Sequence, residues 1–139
     1  MTPEQLDLVQ RTAAVLLGQP DAWSDRFYVH LFDGRDQVRA MFPADLAAQR
    51  LKFVDEITAL LALVSDLDAF EERAAHLGAS HIGFGVRAAH YRASSDALAA
   101  SVADVLGDEA TPEVLDAWRT VHDLVAEAMM SGGARVAPT

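Results

Sequence analysis

Residues that begin and end α-helices recur along the whole chain, and they constrain its fold more than any other feature. Thr2-Pro3-Glu4-Gln5 combines an N-cap threonine, a first-turn proline and a capping-box glutamine. Thr111-Pro112-Glu113 repeats the cap and proline, and Pro20, Asp45 and the segment Asp68–Glu71 provide three further helix starts. Residues that end helices follow at Gly18, Asp33-Gly34, Pro43, Gly78 and Gly107. The chain is therefore predicted to be helical along most of its length.

Apolar residues recur at steps of three and four, the spacing that places them on one face of a helix. In the last predicted helix they are Val114, Trp118, Val121, Val125 and Ala128. In the fourth they are Leu46, Phe53, Ile57, Leu60 and Val64, with polar Gln49 among them. Because no segment alternates as a strand would, we predict an all-α fold of six or seven unequal helices. Residues 1–139 are expected to form one domain.

Composition excludes several classes of protein. The chain has no cysteine, which excludes disulfide frameworks, thiolate catalysis and cysteine-held metal centres. Its formal net charge of −10 would repel nucleic acid and anionic membrane surfaces. Its N-terminus lacks the basic and apolar regions of a signal peptide, and its longest apolar run is too short to span a membrane. We therefore expect a cytoplasmic protein that binds neither nucleic acid nor membrane.

Three polar residues stand out as candidates for a functional site. His81 lies at a predicted helix end before the breaker-rich stretch 83–86, and Tyr28 and Gln49 each interrupt an apolar helix face. One interpretation is that all three are ordinary half-buried or structural residues; the other is that they point into one ligand pocket. The remaining histidines, which are interpreted as surface or structural residues, are His30, His76, His90 in a predicted turn, and His122.

Four stretches in sequence order resemble globins, specifically the bacterial flavohaemoglobin and Vitreoscilla-type haemoglobin branch. They are Phe27–Phe32, Met41-Phe42-Pro43, Leu77–His81 followed by Gly85–Tyr91, and the start of the last helix around Gly107 and Trp118. Together they extend over nearly the whole chain. The resemblance implies a globin fold of crossed helices around a haem pocket.

The resemblance also implies roles for particular residues. His81 would ligate the haem iron, leaving the sixth coordination position open for a diatomic gas. Tyr28 and Gln49 would lie on the distal side, where the gas binds, and would donate hydrogen bonds to it. Phe42 and Phe53 would pack against the ring, and Tyr91 would lie on the side of His81. The implied cofactor is haem b.

Two departures from the family pattern affect these expectations. The stretch from Phe42 to Gln49 is a few residues shorter than in relatives, which makes Leu46 the alternative distal residue. Flavohaemoglobins also pair the iron-ligating histidine with a tyrosine and a last-helix glutamate, whose position falls at or near Gly133. The missing carboxylate puts peroxidase-like and fast redox chemistry in doubt.

The resemblance leaves more than one function open. The first is reversible binding of oxygen and other diatomic gases, by a monomer or a homodimer. The alternative is a nitric oxide dioxygenase that depends on a separate reductase, since no flavin or nicotinamide domain follows in the sequence. A haem-based sensor and a haem-free helical regulatory domain are the less favoured classes.

Overall fold

Seven α-helices and one short 3-10 turn make up the part of the chain that the structure describes. A computed structural model describes residues 1–83 and 87–136, except for the side chains of residues 82, 83 and 133–136. The helices are α1 (Pro3–Leu17), α2 (Pro20–Phe32), α3 (Asp36–Arg39), α4 (Ala47–Ala62), α5 (Leu67–Gly83), α6 (Ala88–Leu106) and α7 (Pro112–Val136), with the 3-10 turn at Gly107–Glu109. Within these residues there is no strand, so the predicted all-α fold is confirmed.

Several helix ends follow the predicted signals directly. The hydroxyl of Thr2 accepts a hydrogen bond from the Gln5 amide, and the Gln5 side chain accepts one from the Thr2 amide, which completes the capping box. The hydroxyl of Thr111 accepts from the amide of Val114 at the start of α7. After α6, Gly107 has φ 59°, a conformation that residues with a Cβ rarely adopt.

The predicted limits of the fifth helix are wrong at both ends. The helix begins at Leu67, and the carboxylate of Asp66, rather than Asp68, accepts the hydrogen bond from the Ala69 amide. It then continues through Gly78 as far as Gly83. The breaker-rich stretch 83–86 lies mostly outside the described residues. The fifth helix is therefore longer than predicted, and His81 lies within its last turn.

Gly78 allows α5 to approach α7 closely. The residue is buried, and a Cβ added to it would collide with the backbone of Met129 in α7. Gly78 lies three residues before His81, so this contact fixes the position of the helix segment that carries the histidine. The predicted helix breaker is therefore a helix-packing glycine.

Two buried tryptophans join four helices in the core. The Trp23 and Trp118 rings meet edge to face with centroids 5.6 Å apart. Their indole N–H groups donate hydrogen bonds to Ser101 of α6, at 3.1 Å, and to Thr12 of α1, at 2.9 Å. Trp118 also lines the cavity described below. The tryptophan pair thus connects the core to the wall of the cavity.

Among the described residues, none of the helices combines the length and apolar character that crossing a membrane would need.

Candidate functional site

A cavity of about 940 Å³ lies among α2, α4, α5, α6 and α7. All six residues singled out from the sequence line it: Tyr28, Phe42, Gln49, Phe53, His81 and Tyr91. Most of the remaining wall is aliphatic or aromatic, as is usual for a pocket that holds an apolar ligand. Leu46, the alternative distal residue, is absent from the described lining and packs on the edge of the neighbouring core. The structure therefore brings the predicted site residues together around one cavity.

Tyr28 and Gln49 are hydrogen-bonded to each other on the α2 and α4 side. The side-chain amide of Gln49 donates to the Tyr28 hydroxyl at 3.1 Å. The nearest acceptor for the hydroxyl's own proton is the Gln49 carbonyl oxygen at 3.5 Å, which is at the limit for a hydrogen bond. Burial raises the pKa of Tyr28 to about 12, although the bond from Gln49 opposes that rise. Tyr28 is thus a protonated donor whose proton is only weakly engaged.

The two phenylalanines are held in place by other aromatic rings. Phe53 stacks on Phe27 with ring centroids 4.4 Å apart and an interplanar angle of 25°. Phe42 meets Tyr28 and Phe32 edge to face at 5.7 Å and 5.2 Å. These contacts make a rigid aromatic wall on the side of the cavity that carries the Tyr28 hydroxyl.

His81 lines the cavity from α5, and one of its ring nitrogens forms a hydrogen bond within the helix. Its Nδ1 lies 2.8 Å from the carbonyl oxygen of Leu77, one turn earlier in the helix. Because a carbonyl can only accept, Nδ1 carries the proton, and in the neutral ring Nε2 keeps its lone pair. This bond also fixes the orientation of the ring, as expected for a histidine that binds a metal.

Tyr91 lines the cavity from α6. The residue is buried, and burial raises the pKa of its hydroxyl above the usual value. The family's last-helix glutamate would fall near Gly133, whose surroundings lie outside the described side chains. The absence of a carboxylate next to Tyr91 therefore remains an expectation from the sequence.

His122 is a cavity-lining residue whose position was not anticipated from the sequence. Its Nε2 lies 3.0 Å from the Ser94 hydroxyl, and both residues line the cavity. Its Nδ1 is buried and has no hydrogen-bond partner among the described residues, although Asp123 Oδ1 lies 3.8 Å away. The available signal was its position four residues after Trp118, on the apolar side of α7. His90, predicted to lie in a turn, lies instead in the first turn of α6, where its Nδ1 accepts from the Arg87 amide.

We predict that His122 makes the stability of the protein sensitive to acid. Burial lowers the pKa of His122, although the nearby Asp123 carboxylate opposes this effect. Below about pH 6.5 the unfolded chain binds a proton that the folded chain resists. The free energy of unfolding should therefore fall as pH decreases through this range.

Denaturant unfolding of the wild type and His122→Gln between pH 7.5 and 5 tests this prediction. In His122→Gln the free energy of unfolding should fall less with decreasing pH than in the wild type. In His76→Gln, at an exposed position of α5, it should fall as in the wild type. Parallel profiles for His122→Gln and the wild type would contradict it.

The residues of the cavity fit a haem group. A porphyrin needs a large apolar space, which the cavity supplies, and its iron needs an axial ligand. A neutral histidine with a fixed ring and an unshared Nε2 lone pair is the commonest such ligand. Here His81 provides it from α5, while the Tyr28 and Gln49 pair belongs to α2 and α4.

Comparison with known proteins agrees with this fit. The Globin family model matches residues 25–129. The flavohemoprotein of Bordetella pertussis is 31% identical over 143 residues, covering 94% of this chain and 33% of the relative. The flavohemoproteins of Deinococcus radiodurans and Bacillus subtilis are 27% and 24% identical, with 94% and 90% of this chain covered.

The chain spans about a third of the length of these curated relatives. The family match nevertheless includes the stretches that carry Tyr28, Phe42, Gln49, His81 and Tyr91. The chain belongs to the globin family and is a haem-binding globin.

Proposed function

We propose that this globin binds oxygen and other diatomic gases reversibly at an iron held by His81. The observation that supports this most directly is that one cavity is lined by both His81, whose Nδ1 is bonded to the Leu77 carbonyl oxygen, and Tyr28, whose hydroxyl proton is weakly engaged. A bound haem would supply an iron with one open coordination position for the gas. His81 would supply the nitrogen that holds the iron, and the rest of the cavity would supply the apolar walls and the hydrogen-bond donors.

Haem b is the form of cofactor that we propose. A c-type haem is attached through cysteines, and this chain has none. Retention would then depend on the bond from His81 and on packing against Phe42 and Phe53. Both phenylalanines line the cavity and are held by neighbouring rings.

Tyr28 is proposed to hold the gas by donating a hydrogen bond to it. A hydrogen-bond donor in an apolar pocket would slow the release of a polar diatomic ligand. Since burial raises the pKa of Tyr28 to about 12, the donor keeps its proton throughout the physiological range. Gln49 would orient the Tyr28 hydroxyl through the 3.1 Å bond from its amide and would be a second donor.

Replacing Tyr28 with phenylalanine should speed oxygen dissociation roughly 5- to 13-fold, because one hydrogen bond to a buried polar group contributes roughly 1–1.5 kcal/mol. Stopped-flow replacement of oxygen by carbon monoxide measures the rate. Tyr91→Phe is the matched control, since it removes the same atom from the α6 wall, and its rate should stay near the wild-type value. An unchanged rate in Tyr28→Phe, together with a faster one in Gln49→Leu, would assign the donor role to Gln49 alone.

Nitric oxide dioxygenation is the second candidate function. It is favoured by the similarity to flavohemoproteins, and the Tyr28–Gln49 pair suits this chemistry as well as reversible binding. We propose that a separate reductase would then supply the electrons. Nitric oxide consumption by the oxygenated protein, measured over repeated turnovers with a chemical or enzymatic reductant, distinguishes the two. Sustained turnover indicates the enzyme, and a single stoichiometric loss indicates the carrier.

The remaining expectations from the sequence are part of the same proposal. The whole chain, residues 1–139, is taken as one globin domain, of which the family match includes residues 25–129. The location is taken as cytoplasmic and the assembly as a monomer or homodimer. Cell fractionation and sedimentation of the haem-loaded protein test these two points.

A further inference from the structure

The opening of the cavity is marked by charged side chains. Three solvent-exposed charged residues line the cavity here: Lys52 and Asp55 of α4, and Arg73 of α5. Glu56 of α4 lies beside them. The other walls are mainly apolar, so this is the polar edge of the cavity. An amphipathic ligand would place its charged groups here and its apolar part inside.

Arg73 of α5 forms a bidentate salt bridge with Glu56 of α4 at this opening. Its Nε and Nη2 donate to the two carboxylate oxygens of Glu56 at 3.1 Å and 2.8 Å. This is the bidentate geometry by which arginine binds a planar carboxylate. Among the side-chain bonds of the described residues, it is the one pair that links α4 to α5. The guanidinium is therefore already placed to hold a carboxylate at the edge of the cavity.

Arg73 also lies on the same side of α5 as His81. Arg73, Leu77 and His81 are spaced by four residues and all line the cavity. Arg73 and His81 are eight positions apart in the helix, a rise of about 12 Å along its axis. A large flat ligand that is held at His81 and extends toward Arg73 would bring a peripheral carboxylate near the guanidinium.

Haem carries two propionate carboxylates, and the protein that must bind it has a formal net charge of −10. Long-range electrostatics therefore oppose uptake of this anionic ligand. Cations at the opening would compensate locally, and among the described residues Lys52 and Arg73 line the cavity there. Of these, Arg73 has the geometry for two parallel hydrogen bonds to one carboxylate.

We propose that Arg73 binds a carboxylate of the haem, and that Glu56 occupies the same guanidinium until the haem propionate replaces it. The proposal rests on haem binding in this cavity, as given above. Glu56 would then be a competitor that links α4 to α5 until haem binds. On release it would turn to solvent, where its side chain is already 32% exposed.

The test compares iron protoporphyrin IX with its dimethyl ester, which has the same ring but no free carboxylate. Haem dissociation is measured by transfer to an excess of a haem-scavenging apoprotein. Arg73→Gln should release protoporphyrin haem several-fold faster than the wild type and should release the ester at the wild-type rate. Arg119→Gln is the matched control, because Arg119 is equally exposed and pairs with Asp96 elsewhere on the surface. It should release both forms at wild-type rates.

Glu56→Gln separates binding of the propionate from simple bridging of the two helices. If Glu56 competes for Arg73, this variant should take up protoporphyrin haem faster and release it no faster than the wild type. The proposal is overturned if Arg73→Gln affects both haem forms equally or neither form, or if Glu56→Gln loses haem as readily as Arg73→Gln. A wild-type protein that takes up no haem would instead contradict the proposed function itself.

Discussion

Replacing His81 with alanine is expected to abolish ordinary retention of haem. His81 offers the unshared Nε2 of a ring fixed by the 2.8 Å bond from Nδ1 to the Leu77 carbonyl oxygen. Without the axial bond, only apolar packing and the charged groups at the opening would hold the porphyrin. After gel filtration the wild type should carry one haem per chain, and His81→Ala should have lost most of its haem.

Two further variants distinguish loss of the ligand from loss of the fold. His76→Ala removes an exposed histidine from the same helix, one that pairs with Glu72 at 3.0 Å, and should retain haem normally. His81→Gly should regain haem when imidazole is added, because free imidazole can occupy the space of the missing side chain. Normal haem stoichiometry in His81→Ala would contradict the ligand assignment.

Gly78→Ala is expected to destabilise the protein, although the same change usually stabilises a helix by about 1 kcal/mol. The added methyl group would collide with the backbone of Met129, which cannot move without shifting α7. Overpacking of this kind costs roughly 1–3 kcal/mol, and more where backbone must move. The free energy of unfolding should therefore decrease, and haem should dissociate faster because His81 lies in the next turn.

Gly18→Ala is the matched control for this change. Gly18 follows α1 with φ −73°, an ordinary helical value, and its added Cβ would lie 3.2 Å from the Val15 carbonyl oxygen. Its effect on stability should be within about 0.5 kcal/mol, as for most surface substitutions. Denaturant unfolding of the three haem-free proteins measures both effects. Equal or greater stability of Gly78→Ala would show that α5 and α7 are not in close contact.

The helices could be predicted because their signals are local. The Thr2 and Gln5 side chains, and the Thr111 hydroxyl with the Val114 amide, satisfy backbone groups within four residues, so the sequence alone contains the interaction. The start of the fifth helix is harder to predict, because Asp66 and Asp68 are both plausible N-caps and only Asp66 accepts the Ala69 amide. Gly78 illustrates the other limit: a glycine that ends a helix and one that admits a neighbouring helix look alike until α7 is in place.

The site residues could be predicted, but their mutual arrangement could not. Tyr28 and Gln49 interrupt apolar helix faces, His81 lies at a predicted helix end, and all three match a family pattern. The 3.1 Å bond from Gln49 to Tyr28 depends on how α2 and α4 cross, which spacing within one helix does not specify. The same holds for Arg73 and Glu56, which are ordinary surface charges until α4 and α5 form one edge of a cavity.

The cavity-lining position of His122 cannot be predicted from the sequence, for a related reason. A histidine on an amphipathic helix looks structural unless it is known what the helix faces. Only the packing of α6 against α7 places its Nε2 against Ser94 and buries its Nδ1, which has no hydrogen-bond partner among the described residues.

The absorption spectrum of the purified protein tests the central claim most directly. It should be recorded after addition of haem in the oxidised and reduced states, and then under oxygen and carbon monoxide. We predict a strong Soret band that shifts on reduction and again with each gas, which would require both bound haem and an accessible coordination position. The absence of a Soret band in haem-treated protein would contradict haem binding in this cavity, and a band that neither gas shifts would contradict gas binding.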